Sequence, residues 1–250
     1  MSLETPSRVL GDSSKVDKNG SRVRDMFAQI APRYDFMNHL LSLGIDIRWR
    51  KKVVHRLRLD QDLPILDCCT GTGDLALMLA ESLKGRVEVV GTDFCREMLD
   101  VAEKKHKASY SALPVRFLEA DSQELPFEDK SFQAVTVAFG LRNVQDTRRG
   151  LLEMTRVCAP GGQVAILEFS KPSAVGLKQA YQFYFTRVLP RLGQKLAQNN
   201  QSAYEYLPNS VMEFPCGQDL ADLMHDCGIS NVSWHPYTFG VATLYLGEVA

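Results

Sequence analysis

The 250 residues, 45% hydrophobic and 24% charged, fit one elaborated domain, because a single core keeps growing up to roughly 250–300 residues. A formal net charge of -1 without long runs of one sign argues against a dedicated nucleic-acid or anionic-membrane binder. The six cysteines form no CxxC pair and the five histidines do not cluster beside them, so neither a zinc site nor a disulfide scaffold is expected, and no metal is required. The N-terminal region lacks an apolar signal core and carries Asp12, Asp17 and Asp25, which transit peptides avoid; no apolar run reaches the ~18 residues of a membrane span, so a cytoplasmic location is expected.

Residues 1–20 are polar and aperiodic and read as a flexible lead-in. A helical pattern then runs from Arg22 to about Leu57, interrupted at Pro32 and Gly44, and forms a cap over 21–60. From Leu63 strands and helices alternate. "PILDCC" is followed by a helix from Gly71 to Leu83, "VEVVGTD" by a helix from Cys95 to Ala108, then come "VRFLEAD" and "SFQAVTVAF". A helix over 146–158 ends at "APGG" before the strand "QVAILEF". This alternation predicts an α/β, doubly wound, Rossmann-like sheet over 61–172, mostly parallel. Residues 173–215 are helical and aromatic-rich and are expected to form a substrate lid. The stretch 216–250 holds a helix and the strands "ISNVSWHPY" and "GVATLYLGEV", whose short connection makes them antiparallel; seven strands in all are expected.

"LDCCTGTGDLALMLA" is a strand, a Gly-rich turn and a helix start. Gly71 and Gly73, with Thr72 between them, allow backbone to approach a ligand, but the pattern alone also fits a bare structural turn or a dinucleotide site. Charge separates the ligands. Asp67 ends the first strand where a pyrophosphate would lie, and an anion there suits a cation instead. S-adenosyl-L-methionine carries an ammonium and a sulfonium. Asp93, ending the second strand, fits a ribose diol, while Asp121 and Ser122, closing the third, suit the adenine amino group. Three strands ending in Asp outline a cleft at the carboxyl edge of the sheet.

The motifs resemble class I S-adenosylmethionine-dependent methyltransferases, and within them the quinone-biosynthesis C-methyltransferases acting on demethylmenaquinol and methoxy-polyprenyl-benzoquinol. "YDFMNHLLSLGIDIRW", "GTGDLA", "FGLRNV", "RVCAPGGQVAILEFSKP", "VLPRLGQKLA" and "YEYLPNSVMEFP" carry the resemblance in order, from about Met26 to the C-terminus. The chain departs from the family's usual residues at Asp46 (His), Cys158–Ala159 (Leu-Lys), Ala138 (small polar) and Cys69, where many methyltransferases have Gly. Cys69 is accordingly expected in an ordinary backbone conformation.

The resemblance implies C-methylation of a polyprenyl quinol in menaquinone or ubiquinone biosynthesis. It places Arg142 and Asn143 at the catalytic centre, with Ala138 beside the cofactor and Tyr34 and Tyr206 beside the substrate. A guanidinium keeps its proton, so Arg142 is read as a fixed cation that lowers the ring-hydroxyl pKa, with a water oriented by Asn143 or an acid removing the proton. Aromatics in "QAYQFYFTRVLPRLGQKLA", with Arg187, Arg191 and Lys195 four apart, leave open a hydrocarbon tunnel, a bilayer-facing helix or plain core. Peripheral membrane contact, a homo-oligomer or a quinone-biosynthesis complex are partner expectations, and nucleic acid is not. The alternatives are a methyltransferase of another small hydrophobic acceptor, or a non-catalytic assembly subunit; a subunit of that kind would have lost the acids or Arg142–Asn143, and both are present.

Overall fold

The strand segments "PILDCC", "VEVVGTD" and "SFQAVTVAF" are mostly apolar without strict alternation, and strands of that kind are covered on both faces. In the computed structural model, which describes residues 18–172 and 201–250, they do form the middle of a seven-stranded sheet. Its strands are β1 (Ile65–Cys68), β2 (Val89–Asp93), β3 (Val115–Glu119), β4 (Phe132–Ala138), β5 (Cys158–Phe169), β6 (Ile229–Tyr237) and β7 (Ala242–Val249). They lie in the order β3-β2-β1-β4-β5-β7-β6. β3, β2, β1, β4 and β5 are mutually parallel, and β7 runs antiparallel between β5 and β6. The expected antiparallel finish is therefore present, with the last strand inserted into the sheet rather than added at its edge.

Alternate residues of each strand feed the two faces. Leu66, Cys68, Val135, Val137, Val164 and Ile166 join one cluster. Ile65, Ala134, Ala165 and Leu167 join the other. The first face is covered by α6 (Thr147–Val157) through Leu151, Met154 and Val157, and by α8 (Gln218–Asp226) through Leu220 and Met224. The second face is covered by α3 (Ile45–Arg56) through Trp49 and Val53, and by α4 (Asp74–Ser82) through Leu75, Ala76, Leu79 and Ala80. Spacings of three and four set each apolar stripe.

The cap comprises α1 (Gly20–Ile30), a 3-10 turn at Ala31–Arg33, α2 (Tyr34–Leu41) and α3. Asn19 caps α1 by accepting from the Ser21 N–H at 3.1 Å. Val23 and Met26 of α1 pack with Phe94, beyond β2, and with Tyr206 of α7 (Gln201–Glu213), so the cap leans over the carboxyl end of the sheet. The helix expected from Cys95 is α5 (Arg96–Lys105), which continues into a wider turn at His106–Tyr110. The helix expected from Gly71 starts only at Asp74, since Gly71 and Gly73 both have positive φ. Of the expected lid, 173–200 lies outside the described residues, including Tyr181, Phe183, Tyr184, Phe185 and the three spaced bases; so does 1–17 of the lead-in.

Candidate active site

β1 ends in the cleft because the chain reverses sharply after Cys68. Thr70 N–H donates to the Thr92 carbonyl at 2.8 Å and Gly73 N–H to the Thr70 carbonyl at 3.0 Å. The reversal takes three left-handed residues, Cys69 (φ 48), Gly71 (φ 58) and Gly73 (φ 82). This corrects the expectation for Cys69: the turn demands positive φ there although the residue has a Cβ, at a cost of about 1–2 kcal/mol. Neighbours hold it in place. Its Sγ lies 3.3 Å from Ser122 Oγ, and Gly140 makes room, since a Cβ on Gly140 would fall 2.3 Å from the Cys69 Cβ.

Around this turn a cleft encloses about 950 Å³ of space, part of it open to solvent. Asp67, Gly71, Thr72, Asp93, Asp121, Ser122, Ala138, Asn143 and Tyr34 all line it. Asp67 is 1% exposed and accepts from Thr70 Oγ1 at 2.6 Å and Thr136 Oγ1 at 2.7 Å. Asp93 accepts from the Gly71 N–H at 2.8 Å and the Cys95 N–H at 2.9 Å. Burial pushes each carboxyl up to about 6, against the pull of those hydrogen bonds. Asp121 is exposed and accepts from the Gln123 backbone; it lies two residues past β3, which stops at Glu119 rather than at the acid. Gly73 serves packing, since its Cβ would meet Phe117 at 2.9 Å and Ala102 at 3.0 Å.

The end of β4 answers why a guanidinium and a carboxamide follow an apolar strand. Phe139 (φ 61) kinks the chain into a 3-10 turn, Leu141–Asn143. Arg142 turns inward to 4% exposure: Nη1 lies 2.9 and 3.2 Å from the two Glu168 oxygens and also donates to the Phe139 carbonyl. Its guanidinium stacks 5.3 Å from the Phe169 ring and is not among the cleft-lining groups. Asn143 does face the cleft. Its Nδ2 lies 3.5 Å from the Phe139 carbonyl, and its buried Oδ1 has no partner among the described residues. Tyr206 packs against Val23 and Met26, away from the lining.

Phe27, Phe94, Met98 and Phe139 give the cleft an apolar wall, and Arg50 and Asp74 add charge at the Gly-turn end. None of these was singled out from the sequence. Arg50 sits in the basic run "RWRKK", and the signal that would have found it is helical spacing, because Asp46, Trp49, Arg50 and Val53 share the buried face of α3.

These residues fit S-adenosylmethionine. Two buried carboxylates suit a cationic ligand with a ribose, and Gly71, at positive φ on the cleft lining, presents backbone to it without a side chain. Bound, that cofactor supplies a methyl on an electron-poor sulfur. Comparison with known proteins agrees. The model of the ubiE/COQ5 methyltransferase family matches residues 15–248. A ubiquinone/menaquinone biosynthesis C-methyltransferase UbiE of Geobacter sulfurreducens is 44% identical over 94% of this chain and 91% of its own. A demethylmenaquinone methyltransferase of Thermus thermophilus is 49% identical over 89% of this chain and 99% of its own. Among solved structures, a SAM-dependent methyltransferase of Thermotoga maritima shares the fold, with a TM-score of 0.65 and 17% identity over 91% of this chain and all of its own. The chain belongs to the ubiE/COQ5 methyltransferase family and is an S-adenosylmethionine-dependent methyltransferase.

Proposed function

We propose that the chain methylates a ring carbon of a reduced polyprenyl quinone, in menaquinone or ubiquinone biosynthesis. The observation that carries this reading is one cleft lined both by the buried acids Asp67 and Asp93 and by the aromatic side chains Phe27, Phe94 and Phe139. The names of the relatives, which specify demethylmenaquinone or ubiquinone/menaquinone biosynthesis, support the same acceptor class.

A quinol carbon becomes strongly nucleophilic when its ring hydroxyl loses a proton. Asn143 is the group we place beside that hydroxyl: its Oδ1 accepts from and so orients a water, and that water takes the ring-hydroxyl proton and passes it to solvent. Arg142 acts from behind it. With its charge compensated by Glu168 and Nη1 on the Phe139 carbonyl, Arg142 holds the turn that carries Asn143. Tyr34 closes the cleft over the Gly turn, and the apolar wall takes the first part of the tail. Residues 21–60 serve as the cap, 61–172 as the cofactor core and 216–250 as its antiparallel completion. Phe36 and Leu43, 62% and 84% exposed on the cap, are the groups we assign to peripheral contact with the bilayer that holds such a substrate.

The test is a side-by-side assay of demethylmenaquinol and methoxy-polyprenyl-benzoquinol with S-adenosylmethionine, followed by mass spectrometry. A gain of one methyl on either quinol, and none on the oxidised quinones, is expected. Methylation of neither quinol under reducing conditions would overturn the reading.

A further inference from the structure

Four acids line the cleft: Asp67, Asp74, Asp93 and Asp121. They suit the positive parts of S-adenosylmethionine, but that molecule also ends in a carboxylate, which an acid-lined cleft repels. Among the described lining residues there is one cation, Arg50. It is 7% exposed and lies at the Gly-turn end, close enough to Asp67 for its charge to act on that carboxyl.

Arg50 is held on two sides, while part of its donor fork has no hydrogen-bond partner among the described residues. Its Nη1 lies 2.5 Å from Asp46 Oδ2, and the guanidinium stacks 5.3 Å from the Phe139 ring. Asp46 divides its charge among several donors, accepting also from Ser42 at 2.6 Å and lying 2.9 Å from His39 Nδ1. Arg50 Nη2 stands 4.0 Å from Asp74, too far for a hydrogen bond, and Asp74 is instead taken up by Lys105. The neighbouring α4 starts at Asp74, and no side chain caps its first N–H groups. From this geometry we infer that Arg50 binds the carboxylate of the amino-acid end of S-adenosylmethionine, opposite the ammonium at Asp67. Asp46, which stands where the family commonly has His, is then the positioning residue that fixes the fork. The inference rests on the methyltransferase reading and adds a specificity-determining contact to it.

The test is calorimetric binding of S-adenosylhomocysteine against the decarboxylated analogue, which keeps the ammonium and the nucleoside. The wild-type chain is expected to prefer S-adenosylhomocysteine by roughly ten- to hundredfold, the range of a charge-assisted hydrogen bond. R50Q should abolish the preference by weakening S-adenosylhomocysteine alone. R50K, which keeps a point charge without the fork, should retain a reduced preference. Equal wild-type binding of the two ligands would overturn the inference even if R50Q failed to fold. So would an equal loss of both ligands in R50Q, which would assign Arg50 to Asp67 or to the fold, and so would an undiminished preference in R50K. Failure of the wild type to bind S-adenosylhomocysteine at all would instead remove the methyltransferase reading beneath it.

Discussion

We assign Asp67 and Asp93 to the cofactor, and on that assignment binding offsets the cost of burying their carboxylates. Burial raises both carboxyls to about 6, above the ~3.9 of an unfolded Asp. Between those values the folded protein holds more protons than the unfolded chain, so their contribution to stability is full below pH ~4 and is lost as pH rises through about 6. An ammonium at Asp67 and hydroxyl donors at Asp93 favour the ionised forms and lower both pKa values. Thermal melting with and without S-adenosylhomocysteine should therefore show a ligand-induced rise in Tm that grows from pH 5 to pH 7. A rise that stayed constant or shrank over that range would contradict the assignment. Behind the turn that follows β4, replacing Glu168 by Gln leaves the buried Arg142 uncompensated, at a cost of about 3–5 kcal/mol in urea unfolding. Adding R142M to E168Q should recover much of that loss. Asn143→Ala should leave cofactor affinity within about twofold and lower kcat by roughly 10²–10³, the usual cost of removing a transition-state hydrogen bond. Asp67, Asp93, Asp121 and Asn143 were readable as cleft residues because topology puts the carboxyl ends of the strands, and the loops just past them, there. Arg142 was readable as important but not as buried on Glu168, because that pairing joins residues far apart in sequence. The φ of Cys69 was hidden for the same reason: Gly140 and Ser122 create the space and the partner that let a Cβ residue take a glycine conformation.

At the scale of elements, the mostly apolar, non-alternating segments of β1, β2 and β4 announced buried parallel strands, and their spacing left room for one helix between each pair. Helix starts were harder to read. The pattern from Gly71 has helical composition, but two glycines at positive φ delay α4 to Asp74, and only tertiary contacts explain why Gly73 must stay bare. Its missing Cβ lets α4 and α5 close on Phe117 of β3. Gly73→Ala combines a positive φ of 82° with a 2.9 Å clash, so a loss of about 1–3 kcal/mol is expected in chemical denaturation, with weakened cofactor binding. A stability equal to wild type would show that the turn tolerates a side chain. The strand β5 also reaches further back than its sequence suggested, absorbing "CAPGG" across an irregular register opposite Phe132 and Ala134.

Across the whole molecule, alternation of strands and helices specified a doubly wound sheet, and the two closing strands specified an antiparallel finish. The insertion of β7 between β5 and β6 is a choice among pairings that local pattern does not rank. The described helices include none long and apolar enough to cross a membrane. Acids, aromatic wall and Asn143 converge on one cleft, so the reaction they support can be followed atom by atom. The most direct measurement supplies S-adenosylmethionine carrying a carbon-13 methyl together with demethylmenaquinol, and reads the product by carbon NMR. A labelled methyl bonded to a ring carbon is the expected result, formed from the quinol and not from the quinone. A label on a ring oxygen, or equal labelling of the oxidised quinone, would contradict carbon nucleophilicity generated at Asn143.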